Sequence, residues 1–128
     1  MDKTLLVREK IEEGKKLIEA IDRSDFQLTG ALWFYLVENN DWRLILVTPL
    51  LEISGPRKIY EKIQLLIRDL PTPFGIGLEN ISVMSPHDKL IKLLRIAIRT
   101  SPGLSEIRFS KNTINNVFIE DAIIYRLT

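Results

Sequence analysis

The chain of 128 residues contains no cysteine. That absence excludes thiol nucleophiles, thiolate metal sites and disulfide stapling, and it fits a reducing cytoplasm. Histidine is nearly as scarce. The single imidazole, His87, would have to serve any Ser-His-acid triad, and no serine lies in a nucleophile-elbow context. Its place at the predicted start of a helix, where the dipole disfavours a protonated ring, makes it a surface residue at a helix start. No apolar run approaches the roughly 18 residues of a membrane span. The opening MDKT lacks the apolar core of a signal peptide, so a soluble, cytoplasmic protein without a membrane partner is expected. Charge of one sign is also lacking: the net charge of +1 is too small to imply a polyanion partner by itself. The balance is uneven, however. Residues 1–55 carry seven basic and ten acidic side chains, whereas residues 56–128 carry eleven and seven, a mild hint of a basic face.

What is present is an ordinary globular composition, 45% hydrophobic and 27% charged, of a length that buries a full core without staples. A single domain over 1–128 is expected. Its organising stretch is ALWFYLVENNDWRLILVTPL, residues 31–50, which reads as a β-hairpin carrying both tryptophans. If Asn39 and Asn40 form a two-residue turn, Val37 pairs with Trp42, Tyr35 with Leu44 and Trp33 with Leu46. Trp33, Tyr35, Val37, Trp42, Leu44 and Leu46 then share one face. Leu32, Phe34, Leu36, Ile45 and Val47 share the other, interrupted only by Arg43. Strands apolar on both faces must be covered on both faces.

Before the hairpin, residues 2–23 repeat at helical spacing through Val7, Ile11, Gly14, Ile18 and Ile21. Gly14 costs that helix about 1 kcal/mol of propensity, which predicts a close approach of its backbone to the sheet. A second helix opens at Ser54-Gly55-Pro56, buries Ile59, Tyr60, Ile63, Leu66, Ile67 and Leu70, and stops at Pro71. Gly75-Ile76-Gly77 lacks the rest of a P-loop or dinucleotide fingerprint and is read as structural. A short strand over 80–84 precedes Ser85-Pro86-His87-Asp88, which predicts a serine-capped helix to about Thr100. Its apolar positions cover about 220° of the wheel, leaving Asp88, Lys92, Arg95 and Arg99 as a polar seam. Residues 105–109 alternate as a strand, 110–116 are rich in turn formers, and 117–127 form a last strand. The order α-β-β-α-β-α-β-β predicts an α+β fold, one mixed sheet of about five strands packed by three helices.

The stretches ALWFYL with WRLILVTPL, GPRKIYEKIQ, SVMSPHD, and RTSPG with IRFSKN and FIEDAIIYRL resemble a family of small bacterial proteins of unassigned function. The resemblance spans nearly the whole chain. It implies a single-domain bacterial protein and carries no catalytic residues with it.

Three function classes follow from the residues. A carboxylate-dependent metal hydrolase needs converging acids, and Glu120 and Asp121, neighbours within an apolar strand, are the candidate functional acids. Either needs a partner if buried; Arg43, Arg108 and Arg126 are the candidates for an ion pair. Nucleic-acid or other anion binding would use a basic ridge of Lys92, Arg95 and Arg99, continued by Arg108 and Lys111 if the next strand lies alongside. The leading expectation is a non-enzymatic interaction module, with no metal and no cofactor, that self-associates as a homodimer or with a protein partner. Trp33, Tyr35 and Trp42 are its candidate anchors. The competing expectation for that aromatic face is a cover of helices within one chain.

Overall fold

The computed structural model describes residues 5–128. Its elements are α1 (Arg8–Asp22), β1 (Gly30–Leu36), β2 (Asp41–Val47), α2 (Leu50–Ser54), α3 (Pro56–Arg68), β3 (Ile81–Met84), α4 (Lys89–Ala97), β4 (Ile107–Ile114) and β5 (Val117–Leu127). The expected α+β order holds, with the five-residue α2 as an addition. The expected start of the first helix at Asp2 lies outside the described residues; among those, the helix begins at Arg8.

One five-stranded sheet has the order β3-β2-β1-β5-β4. Only β2 and β3 run parallel, because α2 and α3 provide the long crossover that a parallel pair requires. The β1–β2 hairpin pairs Trp33 with Leu44 and Tyr35 with Trp42, two residues away from the predicted register. The connection is a 3₁₀ turn over Val37–Asn39 followed by Asn40 at φ 47°, so a single left-handed residue closes it. A slip of two keeps every side chain on its predicted face, whereas a slip of one would have exchanged the faces. Val37 and Glu38 leave the strand for the turn.

Both faces are covered by the chain's own helices. Trp33, Tyr35, Trp42, Leu44 and Leu46 pack with Ile123 and Tyr125 beneath Ile11, Leu17, Ile18 and Ile21 of α1 and Ile59 and Ile63 of α3. Leu32, Ile45, Val47, Ala122 and Ile124 pack against Ile91 and Leu94 of α4. The expectation that Trp33, Tyr35 and Trp42 anchor a second subunit is therefore corrected: they retain 3, 6 and 5% exposure. Two long helices with wide apolar stripes suffice to seal that face.

Gly14 is where α1 comes down on the sheet. The Tyr125 hydroxyl accepts from the Trp33 indole N–H at 2.9 Å and donates to the Ile11 carbonyl at 2.7 Å, in the space a side chain at Gly14 would take. Burial holds that hydroxyl well above the usual phenol range, so it stays a donor. Arg43, on the second face of the hairpin, secures β3. It donates to Ser82 Oγ at 3.1 Å, to the Ile81 carbonyl at 2.9 Å and to the Glu79 carbonyl.

The fourth helix departs from its sequence reading at both ends. Asp88 is the cap, accepting from the Leu90 amide at 2.9 Å, while Ser85 forms a turn ahead of it by accepting from the His87 amide. Ile98 is already extended at φ −136°. Shortened in this way, the helix buries Ile91 and Leu94 and leaves Ile96 62% exposed, so it lies on the sheet with one open side and is not deeply embedded.

Candidate functional site

β4 runs on to Ile114 through residues that read as a loop, and the strand reverses at Asn115 and Asn116, whose φ values are 47° and 66°. Positive φ at both central residues is the requirement of a type I′ turn. Within this hairpin Ser110 pairs with Asp121 and Asn112 with Ile119, while Lys111 and Glu120 fall out of the ladder between them. Lys111 has φ 48°. A left-handed residue in a strand bends it and exchanges its faces beyond that point. Accordingly Ile107 and Phe109 lean on the second-face core before the bend, and Ile114 lies in it after the bend.

The two candidate acids meet different surroundings. Asp121 is fully buried and held by Arg108 in a two-pronged pair, Nε to Oδ1 at 2.7 Å and Nη2 to Oδ2 at 2.6 Å. Of the three arginines considered for it, Arg108 supplies the partner; Arg126 pairs with Asp22 at 2.7 Å. Glu120 is half-buried. Among the described residues no three His, Asp or Glu side chains converge as a metal site requires. The imidazole of His87 lies 2.9 Å from Glu52 Oε1, which resembles half a triad. The nearby Ser85 hydroxyl bonds to that same carboxylate and its oxygen accepts from the His87 amide, so the arrangement lacks a serine activated by the ring.

The basic ridge is divided. Arg108 shares a sheet face with Asp121, Ile123 and Tyr125, on the side covered by α1, whereas Lys92 and Arg95 belong to α4 on the opposite side and Arg99 follows that helix in extended chain. Arg95 is spent on the Thr128 carbonyl at 2.8 Å and the Pro86 carbonyl at 3.0 Å. Burial and the neighbouring Arg99 lower its pKa. Lys92 and Arg99 are exposed, and Lys111 sits at the bend. The five cations do not form one surface. The glycine pair is structural: Gly75 is bracketed by Glu13, which accepts its N–H at 2.7 Å, and by Lys10, which donates to its carbonyl at 2.7 Å.

At the seam between α1 and β4, Glu106 receives two hydrogen bonds from Arg8 at 2.5 Å each and lies 3.1 Å from Lys15. The Arg8 hydrogen bonds, reinforced by Lys15, hold its carboxyl down at about 2. A carboxylate with a depressed folded-state pKa stabilises the fold above its unfolded value, and the contribution is lost as pH falls through the folded value. Acid titration from about pH 5 to pH 2 should therefore weaken the protein, and Glu106→Gln should flatten that slope in urea melts taken at several pH values. An unchanged slope would show that the seam contributes nothing.

The two sheet edges differ. β3 has four residues, and its outward Val83 N–H is taken by the Tyr60 hydroxyl at 3.0 Å. At the other edge the Ser105 amide turns inward, donating to the Tyr125 carbonyl at 2.7 Å. Alternation from that point directs the main chain of Ile107 and Phe109 toward β5 and leaves that of Glu106, Arg108 and Ser110 facing out. Among the described residues no helix or loop covers this edge with hydrogen bonds. Nearby, Phe118 is 58% exposed and Val117 44%. Sequence reasoning missed this edge because it read 110–116 as loop; the usable signal was the second Asn-Asn pair, flanked by the branched residues Ile114 and Val117.

Comparison with known protein families, with curated proteins and with solved structures finds no match for the chain.

Proposed function

We propose that this chain is a non-enzymatic, cytoplasmic interaction module that self-associates, and that it does so by adding a strand to the open edge of β4. The observation that carries the reading is the contrast between the two edges of the sheet. Unpaired N–H and C=O groups along an edge are a template for another strand, and natural sheets cover or blunt the edges they do not use. Here β3 is short and closed by Tyr60, while the stretch ending at Ser110 is open. The cysteine-free composition supports the cytoplasmic assignment. Main-chain pairing also needs no catalytic constellation, in keeping with acids and arginines that are occupied by each other.

Sedimentation velocity over a wide concentration range tests the reading. The wild type should sediment as a dimer. Glu106→Pro removes an outward N–H at an edge position where proline is tolerated and should return the chain to monomer, while Glu106→Gln, which loses the same ion pairs and keeps the N–H, should remain a dimer. A wild type that stays monomeric at the highest concentration overturns the proposal.

A further inference from the structure

Resting on that reading, we infer that the strand added to β4 is β4 of a second copy, antiparallel to the first, with the two-fold axis passing between the two Ile107 residues. The open run is bounded on both sides. It begins where Ser105 is tied to Tyr125 and ends where Lys111 turns into the left-handed region. A symmetric pairing within such a run can be centred on Ile107, Arg108 or Phe109.

Centring on Arg108 places each Arg108 directly opposite its own copy, a like-charge pair that opposes association. Centring on Phe109 sets Ile107 opposite Lys111, whose backbone has already left the extended path, so the ladder is cut short. Centring on Ile107 pairs residues 105 to 109 of the two copies and keeps the ladder clear of the bend at Lys111. The outward main chains of Glu106 and Arg108 then pair with those of Arg108 and Glu106 in the second copy. The side chains follow the same rule: Glu106 lies beside Arg108 of the second copy, and Arg108 beside its Glu106. Each is already joined to an opposite charge, Glu106 to Arg8 and Lys15 and Arg108 to Asp121. The seam thus continues through the axis with alternating signs. On the other face Ile107, only partly buried by the second-face core, meets its own copy.

Ile107 would be a non-hydrogen-bonded pair across the axis, the kind in which Cα atoms approach to about 4.5 Å, inside the range of about 4.4–6.8 Å that a disulfide spans. The absence of native cysteine makes single-cysteine variants free of background. Ile107→Cys, Arg108→Cys and Phe109→Cys should each be checked for folding by circular dichroism and for dimer formation by sedimentation, then exposed to mild oxidant. Non-reducing electrophoresis should show the 14.8 kDa chain doubling in mass for Ile107→Cys and remaining single for the other two. Crosslinking at Arg108 or Phe109 in place of Ile107 overturns the register and leaves strand addition standing. A dimer that crosslinks at none of the three overturns β4-to-β4 pairing. A monomeric wild type removes the inference together with the reading beneath it.

Discussion

Gly14→Ala should destabilise the protein by about 2–4 kcal/mol, although alanine is the better helix former by about 1 kcal/mol. A methyl group at this position would lie 3.0 Å from Tyr125 Cζ and 3.1 Å from Trp33 Nε1, and closer still to the Tyr125 hydroxyl. None of these atoms is free to retreat. Tyr125 has no exposed surface, and Trp33 is buried beside it. Either α1 rises off the sheet or Tyr125 swings away and leaves the indole N–H without its acceptor, at about 1–3 kcal/mol. Urea unfolding of both variants and their combination separates these contributions. Tyr125→Phe alone orphans the Trp33 N–H but spares the Ile11 carbonyl its normal helical partner, so it should cost less. In the double variant the clashing hydroxyl is gone, and the loss should be smaller than the sum of the two. Additive losses would mean that Gly14 and Tyr125 do not share the space, and a stable Gly14→Ala would remove the close approach altogether.

That prediction was half visible in the amino-acid sequence. A glycine in the buried stripe of an amphipathic helix announces a close approach, but its counterpart, 111 residues further on, is fixed only by the pairing of β1 with β5. The hairpin shows the same division. Which side chains share a face depends on parity, and parity survives a two-residue change of register. Which asparagine pair makes the two-residue turn depends on the strands it joins. The chain has Asn39-Asn40 and Asn115-Asn116, and only the second places both residues at positive φ. Local propensity favours the two equally, and only the strands that flank Asn115-Asn116 make it the two-residue turn and carry β4 out to Ile114.

The candidate residues were legible where the physics was local and illegible where it depended on facing. A carboxylate in an apolar strand needs a cation, and Asp121 has Arg108. The basic ridge failed because a strand of alternating side chains presents its charge to one face or the other, and sequence does not say which face receives α4. The tryptophans failed as anchors for a related reason: an aromatic surface is the same whether a helix or a second subunit covers it, and here α1 and α3 do so. In the function proposed above, association rests on the main chain of β4, whose recognition chemistry every sequence shares and no sequence pattern displays.

Asp22→Ala should cost about 3 kcal/mol, more than replacing its buried partner outright. Arg126 is 5% exposed on the last strand. It holds Asp22 with two hydrogen bonds of 2.9 and 2.7 Å and reaches the carbonyls of Gly103 at 3.2 Å and Leu28 at 3.4 Å. These bonds join α1, the chain before β1 and the loop before β4 around one guanidinium, at the base of an open cleft of about 410 Å³. Removing the carboxylate leaves a positive charge that cannot be neutralised by losing its proton, with only carbonyl dipoles to solvate it. Because Asp22 opens on the cleft, water replaces part of its contribution, which puts the loss at the lower end of the range for broken buried pairs. Arg126→Met removes the charge and keeps the aliphatic volume. The freed Asp22 is part-exposed and hydrates, so the loss should be roughly half as large. Chemical denaturation of Asp22→Ala, Arg126→Met and the double variant decides the matter. The double should be no less stable than Asp22→Ala alone, since the stranded charge is gone; a double variant that loses the full sum would mean that the two residues stabilise the fold independently.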